Sequence, residues 1–241
     1  MALVHNPDKP QAVRALKSVR ALLERHGVKV RPGSPERSAS WIKGCDAAIA
    51  IGGDGTMLRV ARALAPHGVP LLGVNAGGLG YLSAVDLDDF PRQVARIAAG
   101  RFVVEPRWML AVEVRRRGKR VFGPGTALND CVVRCGDQAR AVCLEVESLG
   151  RFVASYFGDG LVVATPTGST AYALAAGGPL LMPGVDAPLL TPICPHSLTQ
   201  RPVVAPADHP FLVRLTRRHP HDKPQALVAL DGQVGLRLKV G

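Results

Sequence analysis

This chain lacks the features that would send it out of a cell or into a membrane. Its five cysteines, Cys45, Cys131, Cys135, Cys143 and Cys194, are odd in number and form neither a CxxC pair nor a zinc-ligand spacing. A disulfide framework and a structural zinc site are therefore excluded, and a reducing compartment is expected. No apolar run approaches the about 18 residues of a membrane span. The opening Met1-Ala-Leu-Val-His-Asn-Pro has no basic segment ahead of an apolar stretch, which makes a cytoplasmic location the expectation. Aromatic residues are scarce at 5%, and none interleaves the basic run Arg115-Arg-Arg-Gly-Lys-Arg120. That run reads as a solvated hairpin tip between strands at 109–114 and 121–122, not as a nucleic-acid surface. Acids are in deficit, with 19 Asp and Glu against 30 Lys and Arg and a formal charge of +11. Such an excess favours an anionic partner (nucleotide, polyphosphate or nucleic acid) without choosing among them. Two phosphate signatures are missing as well: GxxxxGK[ST], and GxGxxG followed by an acid at the ribose position. A P-loop and an ordinary dinucleotide-redox site are both disfavoured.

What is present is enough for a sizeable core: 241 residues, 47% hydrophobic. The first hundred or so residues alternate between strand and helix patterns. Strand-like segments at 2–5, 28–30, 47–51 and 69–74 flank a helix at 11–26, with Val13, Leu16, Val19, Leu22 and Leu23 on one face, and a second helix at 57–64. A further helix is expected at 90–100. This βαβαβ order predicts a parallel sheet covered by helices. Beyond it the texture becomes short β-rich runs at 111–114, 131–134, 143–148, 161–164, 211–215 and 226–230, separated by glycine and proline, with a single helix expected at 169–176. The expected architecture is an N-terminal α/β domain with a parallel sheet and glycine-rich turns (1–104), followed by a mostly antiparallel, β-rich C-terminal domain (105–241).

Three segments carry chemistry. Gly52-Gly-Asp-Gly-Thr56 joins a strand to a helix, where open parallel sheets bind ligands, and its glycines permit close approach. Asp54 at its centre would repel a phosphate, so it has another task or is merely a helix N-cap. Gly73-Val-Asn-Ala-Gly-Gly-Leu-Gly-Tyr81 follows the next strand with four glycines in nine residues. Two such turns at neighbouring strand ends define one cleft. In the β-rich half, Gly158-Asp-Gly-Leu-Val-Val-Ala-Thr-Pro-Thr-Gly-Ser-Thr-Ala-Tyr172 again sets hydroxyls and amides at the start of a helix.

Taken together, these segments resemble the NAD kinase (ATP-NAD kinase) family over most of the chain. Gly52 to Thr56 is similar to its GGDGT signature, 73–82 to its GxNxGxLGFL segment, Asn129-Asp130 to its Asn-Glu pair, and 159–172 to its DGxxxxTPTGSTAY block. Gly177-Gly-Pro179 and 191–198 resemble the stretch that follows. Lipid kinases share a GGDGT-like turn, but this chain lacks an apolar membrane-facing stretch, and the ordered set is specific. A nucleotide sensor that has lost turnover is the other alternative.

The resemblance implies transfer of the ATP γ-phosphoryl group to the adenosine-ribose 2′-hydroxyl of NAD, with a divalent metal, Mg2+ by family habit, and assembly as a homodimer or homotetramer. By the same resemblance Asp54 is catalytic. Asp130 would grip ribose hydroxyls, Asn129 and Thr167 the adenine edge, and Asp159, Thr170, Ala171 and Tyr172 the rest of the dinucleotide. The turns with Gly52, Gly53, Gly55, Thr56, Asn75, Gly77 and Gly78 would face the triphosphate. Two departures stand out: Asp130 is shorter than the family's Glu by a bond of about 1.5 Å, and Phe157 stands where Arg or Gln is usual.

Overall fold

The computed structural model describes residues 1–35, 39–77, 80–136 and 141–240. By its internal contacts the chain divides into two compact units, Met1–Glu105 and Pro106–Gly241.

The first unit begins with β1 (Ala2–His5), α1 (Pro10–Arg25), β2 (Arg31–Pro32) and β3 (Ala48–Gly52). It continues with α2 (Asp54–Leu64), β4 (Leu71–Asn75), β5 (Val85–Asp86) and α3 (Phe90–Ala98). The strands form one parallel sheet in the order β2-β1-β3-β4-β5. Alternation along the strands explains its two covered faces. Leu3, Ile49, Ile51 and Val74 pack with Ala12, Ala15, Val19 and Leu23 of α1 and with Phe90, Val94 and Ile97 of α3. The residues between them, Ala2, Val4, Ala48 and Ala50, pack on the other side with Trp41, Ile42 and with Met57, Val60 and Leu64 of α2. Small alanines on that face let α2 lie close to the strands that feed it.

In this unit two boundaries differ from the sequence reading by three residues, the others by at most two. The strand expected at 28–30 lies at Arg31–Pro32, because 27 and 28 serve to end α1. Gly27 takes φ +80°, and the Val28 N–H donates to the Leu23 carbonyl (3.1 Å). Helix α2 starts three residues early, since Gly53 is extended (φ −107°, ψ −175°) and its carbonyl accepts the N–H groups of Thr56 and Met57.

The second unit opens with a two-stranded ribbon, β6 (Leu110–Arg116) and β7 (Lys119–Ala127). Its tip is Arg117-Gly118, both at positive φ, and Glu113 pairs with Arg115 and Arg120 on its surface. Then come β8 (Asp130–Cys135), β9 (Val142–Ser148), β10 (Arg151–Gly158) and β11 (Gly160–Ala164). A short helix α4 (Tyr172–Ala175) precedes β12 (Leu189–Ile193), β13 (Val203–Val204), β14 (Phe211–Thr216), β15 (Gln225–Leu230) and β16 (Val234–Lys239). A six-stranded antiparallel sheet in the order β13-β12-β11-β8-β15-β16 packs against the three-stranded sheet β10-β9-β14. Between them lie Val133, Leu161, Val228 and Leu230 from one sheet and Val142, Leu144, Val146 and Leu215 from the other.

The helix expected at 169–176 is broken. Thr167–Thr170 is a 3-10 turn, and α4 begins only after Ala171, whose backbone (φ −100°, ψ −130°) is not helical. The hydroxyls of Ser169 and Thr170 donate to the carbonyls three residues back (2.7 and 3.1 Å), which favours the tighter turn.

Candidate active site

In the first unit the site grows from the carboxyl end of β3, a strand buried along its whole length. Gly52 sits against α2 so closely that an added Cβ would stand 2.5 Å from the Thr56 hydroxyl, which is itself buried. Gly53 caps the helix with its backbone, so Asp54 is the first helical residue and not the cap. Its negative charge there is favoured by the helix dipole. The carboxylate reaches across to the second glycine turn, where Oδ2 accepts the Tyr81 N–H (3.0 Å) and Oδ1 the Leu82 N–H (3.2 Å). Gly80 makes that contact possible: a Cβ on it would lie 2.5 Å from Asp54 Oδ1. The two turns are joined again by the Ala76 N–H, which donates to the Gly52 carbonyl (3.2 Å).

Of the other phosphate-site expectations, Gly55 is exposed at the first turn of α2. Asn75 closes β4 and donates from Nδ2 to Asp86 (3.0 Å), while its Oδ1 is buried without a partner. Gly77 has φ +139°, and a Cβ there would stand 2.7 Å from Gln11 Oε1. Gly78 lies outside the described residues.

An open pocket of about 170 Å3 borders Gly53, Asp54, Gly55 and Thr56, and Asn6, Lys9 and Arg59 complete its wall. Sequence reasoning missed these three. The Asn6 N–H donates to the Ile51 carbonyl (3.2 Å), which lays the β1–α1 loop beside the end of β3 and brings Lys9 Nζ within 3.0 Å of where a Gly53 Cβ would be. The available signal was positional, since Asn6 to Lys9 also follows the carboxyl end of a parallel strand.

In the second unit, Asn129, Asp130 and Thr167 are brought together by a network around Thr165. The Thr165 hydroxyl donates to the Leu128 carbonyl (2.6 Å) and accepts the Gly168 N–H (3.0 Å), while its own N–H donates to the Asn129 carbonyl (2.8 Å). Gly168 is in direct backbone contact with Asn129, where any Cβ would collide with the Asn129 carbonyl. The side-chain Oδ1 of Asn129 is buried and has no partner, an arrangement that costs free energy unless a ligand donates to it. Thr167 Oγ1 accepts a long bond from Arg107 (3.4 Å), the Thr170 hydroxyl bonds the Thr167 carbonyl, and the Ala171 N–H bonds Gly168. Tyr172 follows at 42% exposure.

Asp130 is only 5% exposed, and burial, then the negative charge of Asp231, push its carboxyl up to about 6. Asp231 is a fourth residue that the sequence reading missed. Its carboxylate accepts the N–H groups of Leu128, Asn129 and Asp130. Burial also pushes the neighbouring Cys131 thiol up to about 12, which leaves it unreactive.

Asp159 is not gathered with the others. It precedes β11, whereas Thr165 to Tyr172 follow it, and Ala164 pairs with Asp130 while Gly160 pairs with Arg134. Four strand steps of about 3.3 Å put Asp159 roughly 13 Å or more from the Asn129 turn. Phe157, the unusual residue, meets the edge of the His196 ring (centroids 4.7 Å apart) and lies under the Arg218 guanidinium at 4.3 Å. A positive group therefore stands at this location, supplied from the segment after β14.

The chain matches two family models, the ATP-NAD kinase N-terminal domain over residues 35–102 and the ATP-NAD kinase C-terminal domain over 128–241. The NAD kinase of Koribacter versatilis is 42% identical over 256 residues, covering 100% of this chain and 87% of the relative. That of Symbiobacterium thermophilum is 43% identical over 247 residues, covering 98% and 82%. Among solved structures, an NAD kinase from Archaeoglobus fulgidus in complex with ATP superposes with a TM-score of 0.78 at 28% identity, over 98% of this chain and 85% of that one. A yeast NADH kinase complexed with NADH has a TM-score of 0.81 at 23% identity over 100% and 77%, a likeness of fold. Both halves of the family pattern thus occur here in order, each built around the turns described above, and the chain belongs to the NAD kinase family.

Proposed function

We propose that this protein transfers the γ-phosphoryl group of ATP to the 2′-hydroxyl of the adenosine ribose of NAD, giving NADP and ADP. The observation that carries the reading is the fixed carboxylate of Asp54, set by two backbone amides at the mouth of β3 beside a basic pocket. Phosphoryl transfer needs positioning and charge neutralisation more than covalent help from the protein, with a carboxylate poised at the attacking oxygen. In this reading Asp54 takes the proton as the ribose oxygen bonds to phosphorus and the bond to ADP breaks. The turns at Gly52–Thr56 and Asn75–Gly77 hold the triphosphate, with Lys9 and Arg59 supplying positive charge. Asn129 and Thr167 meet the adenine edge and Asp130 the ribose, while Thr170, Ala171 and Tyr172 contact the remaining dinucleotide. Asp159, at the far end of β11, would serve a different part of it.

A divalent metal, Mg2+ by the chemistry of nucleotide kinases, would neutralise charge on the phosphoryl oxygens. Among the described residues no group of three His, Cys, Asp or Glu could hold such an ion. The residues present fit a metal carried in on the triphosphate, with Asp54 the acid nearest the turn, as Mg2+ commonly takes one or two carboxylates plus substrate phosphates. No helix among the described residues is long and apolar enough to cross a membrane; a cytoplasmic location is part of the proposal. A homodimer or homotetramer is part of the proposal; a clean monomer in light scattering at micromolar concentration would contradict it. The activity is tested by NADP formation from NAD, ATP and magnesium, and turnover no greater than a protein-free control removes the reading.

A further inference from the structure

We propose that Asp231 is a positioning residue for the Asn129–Asp130 pair, a buried carboxylate that fixes the backbone of that turn and so the geometry with which the pair meets the dinucleotide. This rests on the reading of Asn129 and Asp130 as dinucleotide contacts. Asp231 follows β15 and opens the β15–β16 hairpin, with φ +50° ahead of Gly232 at φ +65°. An Asp-Gly pair at such a turn is ordinary chemistry and explains itself. What the hairpin does not require is the destination of the side chain. Its Oδ1 accepts the N–H groups of Asn129 (2.8 Å) and Asp130 (3.2 Å), and Oδ2 accepts that of Leu128 (3.0 Å), a hundred residues earlier in the chain. The Asp231 N–H returns a bond to the Asp130 carbonyl (2.9 Å), so the contact closes on itself.

Asp231 is 7% exposed, and a carboxylate so buried is tolerable because three donors converge on it. Thr165 grips the same turn from the opposite side through the Leu128 and Asn129 carbonyls. Between them the turn has its donors and acceptors taken by the fold, leaving the unpartnered Oδ1 of Asn129 for a ligand. Asp231 touches no substrate in this account. It acts through the backbone of residues that do.

Asp231→Asn separates clamp from hairpin. Asn is at least as well suited as Asp to a left-handed turn position before glycine, so the hairpin survives. Its amide, however, has one acceptor oxygen where the carboxylate has two, so at least one of the three N–H groups faces an NH2 donor and the negative charge that draws all three is lost. The KM for NAD should rise about tenfold or more, with the KM for ATP unchanged and the melting temperature within a few degrees of wild type. In an Asp130→Asn background the same change should cost markedly less, because the pair it serves is already impaired. An NAD KM within twofold of wild type, or an equal penalty in both backgrounds, overturns the proposal. Amide hydrogen exchange on the wild-type chain gives a readout that needs neither a folded variant nor activity. The N–H groups of Leu128, Asn129 and Asp130 should be protected, and exchange at open-loop rates would overturn the clamp. A wild-type protein with those amides protected but no NADP formation would instead defeat the functional reading.

Discussion

Replacing Asp54 by Asn tests the catalytic assignment, and the structure supplies its two magnitudes. Both carboxylate oxygens accept a backbone N–H, from Tyr81 and from Leu82. An Asn side chain has one acceptor oxygen, so whichever way it sits one of those N–H groups faces an NH2 donor. Hydrogen bonds to charged groups contribute about 1.5–3 kcal/mol, and partial exposure of this pair brings the loss toward 1–2 kcal/mol. For a chain of this size each kcal/mol shifts the melting temperature by about 2–4 °C, so a fall of roughly 2–8 °C is expected. Loss of the proton acceptor should lower kcat about 10²- to 10⁴-fold, about 3–5 kcal/mol of barrier. The kinetic loss therefore exceeds the structural one, and well below the melting temperature it reports chemistry. Calorimetric melting, NAD affinity and coupled NADP production would be measured on a single preparation. A kcat within threefold of wild type would refute Asp54 as proton acceptor, and an unchanged melting temperature would refute the grip of the two amides.

Gly80→Ala keeps the Asp54 side chain but would set a methyl 2.5 Å from its Oδ1, so the carboxylate or its turn has to shift. Turnover should fall at least tenfold with NAD affinity unchanged, and normal turnover would show that the carboxylate can be displaced freely. Gly168→Ala drives a Cβ into the Asn129 carbonyl and should weaken NAD binding tenfold or more; tight binding by the variant would refute the contact between these turns. Asp130 titrates near 6 in the fold against an ordinary 3.8. The folded value lies above the unfolded one, so its stabilisation is complete below roughly pH 4 and is lost as pH climbs through about 6. The melting temperature of wild type relative to Asp130→Asn should fall from pH 4 to pH 7, and a pH-independent difference would exclude the raised value.

How far the molecule could be read from its sequence depended on the range of the interactions involved. The parallel sheet was legible because strand and helix periodicities are local, and the continuous apolar run 47–51, of strand length and stopped by glycines, fits a strand covered on both faces. The GGDGT turn was legible because glycines between a strand and a helix mark a ligand-binding end. Periodicity failed where short-range hydrogen bonds override it: the Val28 N–H closes α1 on the Leu23 carbonyl, and the Ser169 and Thr170 hydroxyls bond carbonyls three residues back and tighten the start of the 169–176 segment into a 3-10 turn.

The sequence by itself determined the family and the alternation of strand and helix in the first unit, because motifs, glycine spacing and apolar alternation are written along the chain; it did not show the strands at Arg151–Gly158, Leu189–Ile193 or Val234–Lys239. Only the tertiary structure decided that Asp54 is held by the amides of Tyr81 and Leu82 instead of capping its own helix, that Lys9 lies beside Gly53, and that Asp231 binds a turn a hundred residues away. The physical reason is that a carboxylate is satisfied by whichever donors the fold brings within about 3 Å, and sheet pairing, not sequence neighbourhood, sets those distances.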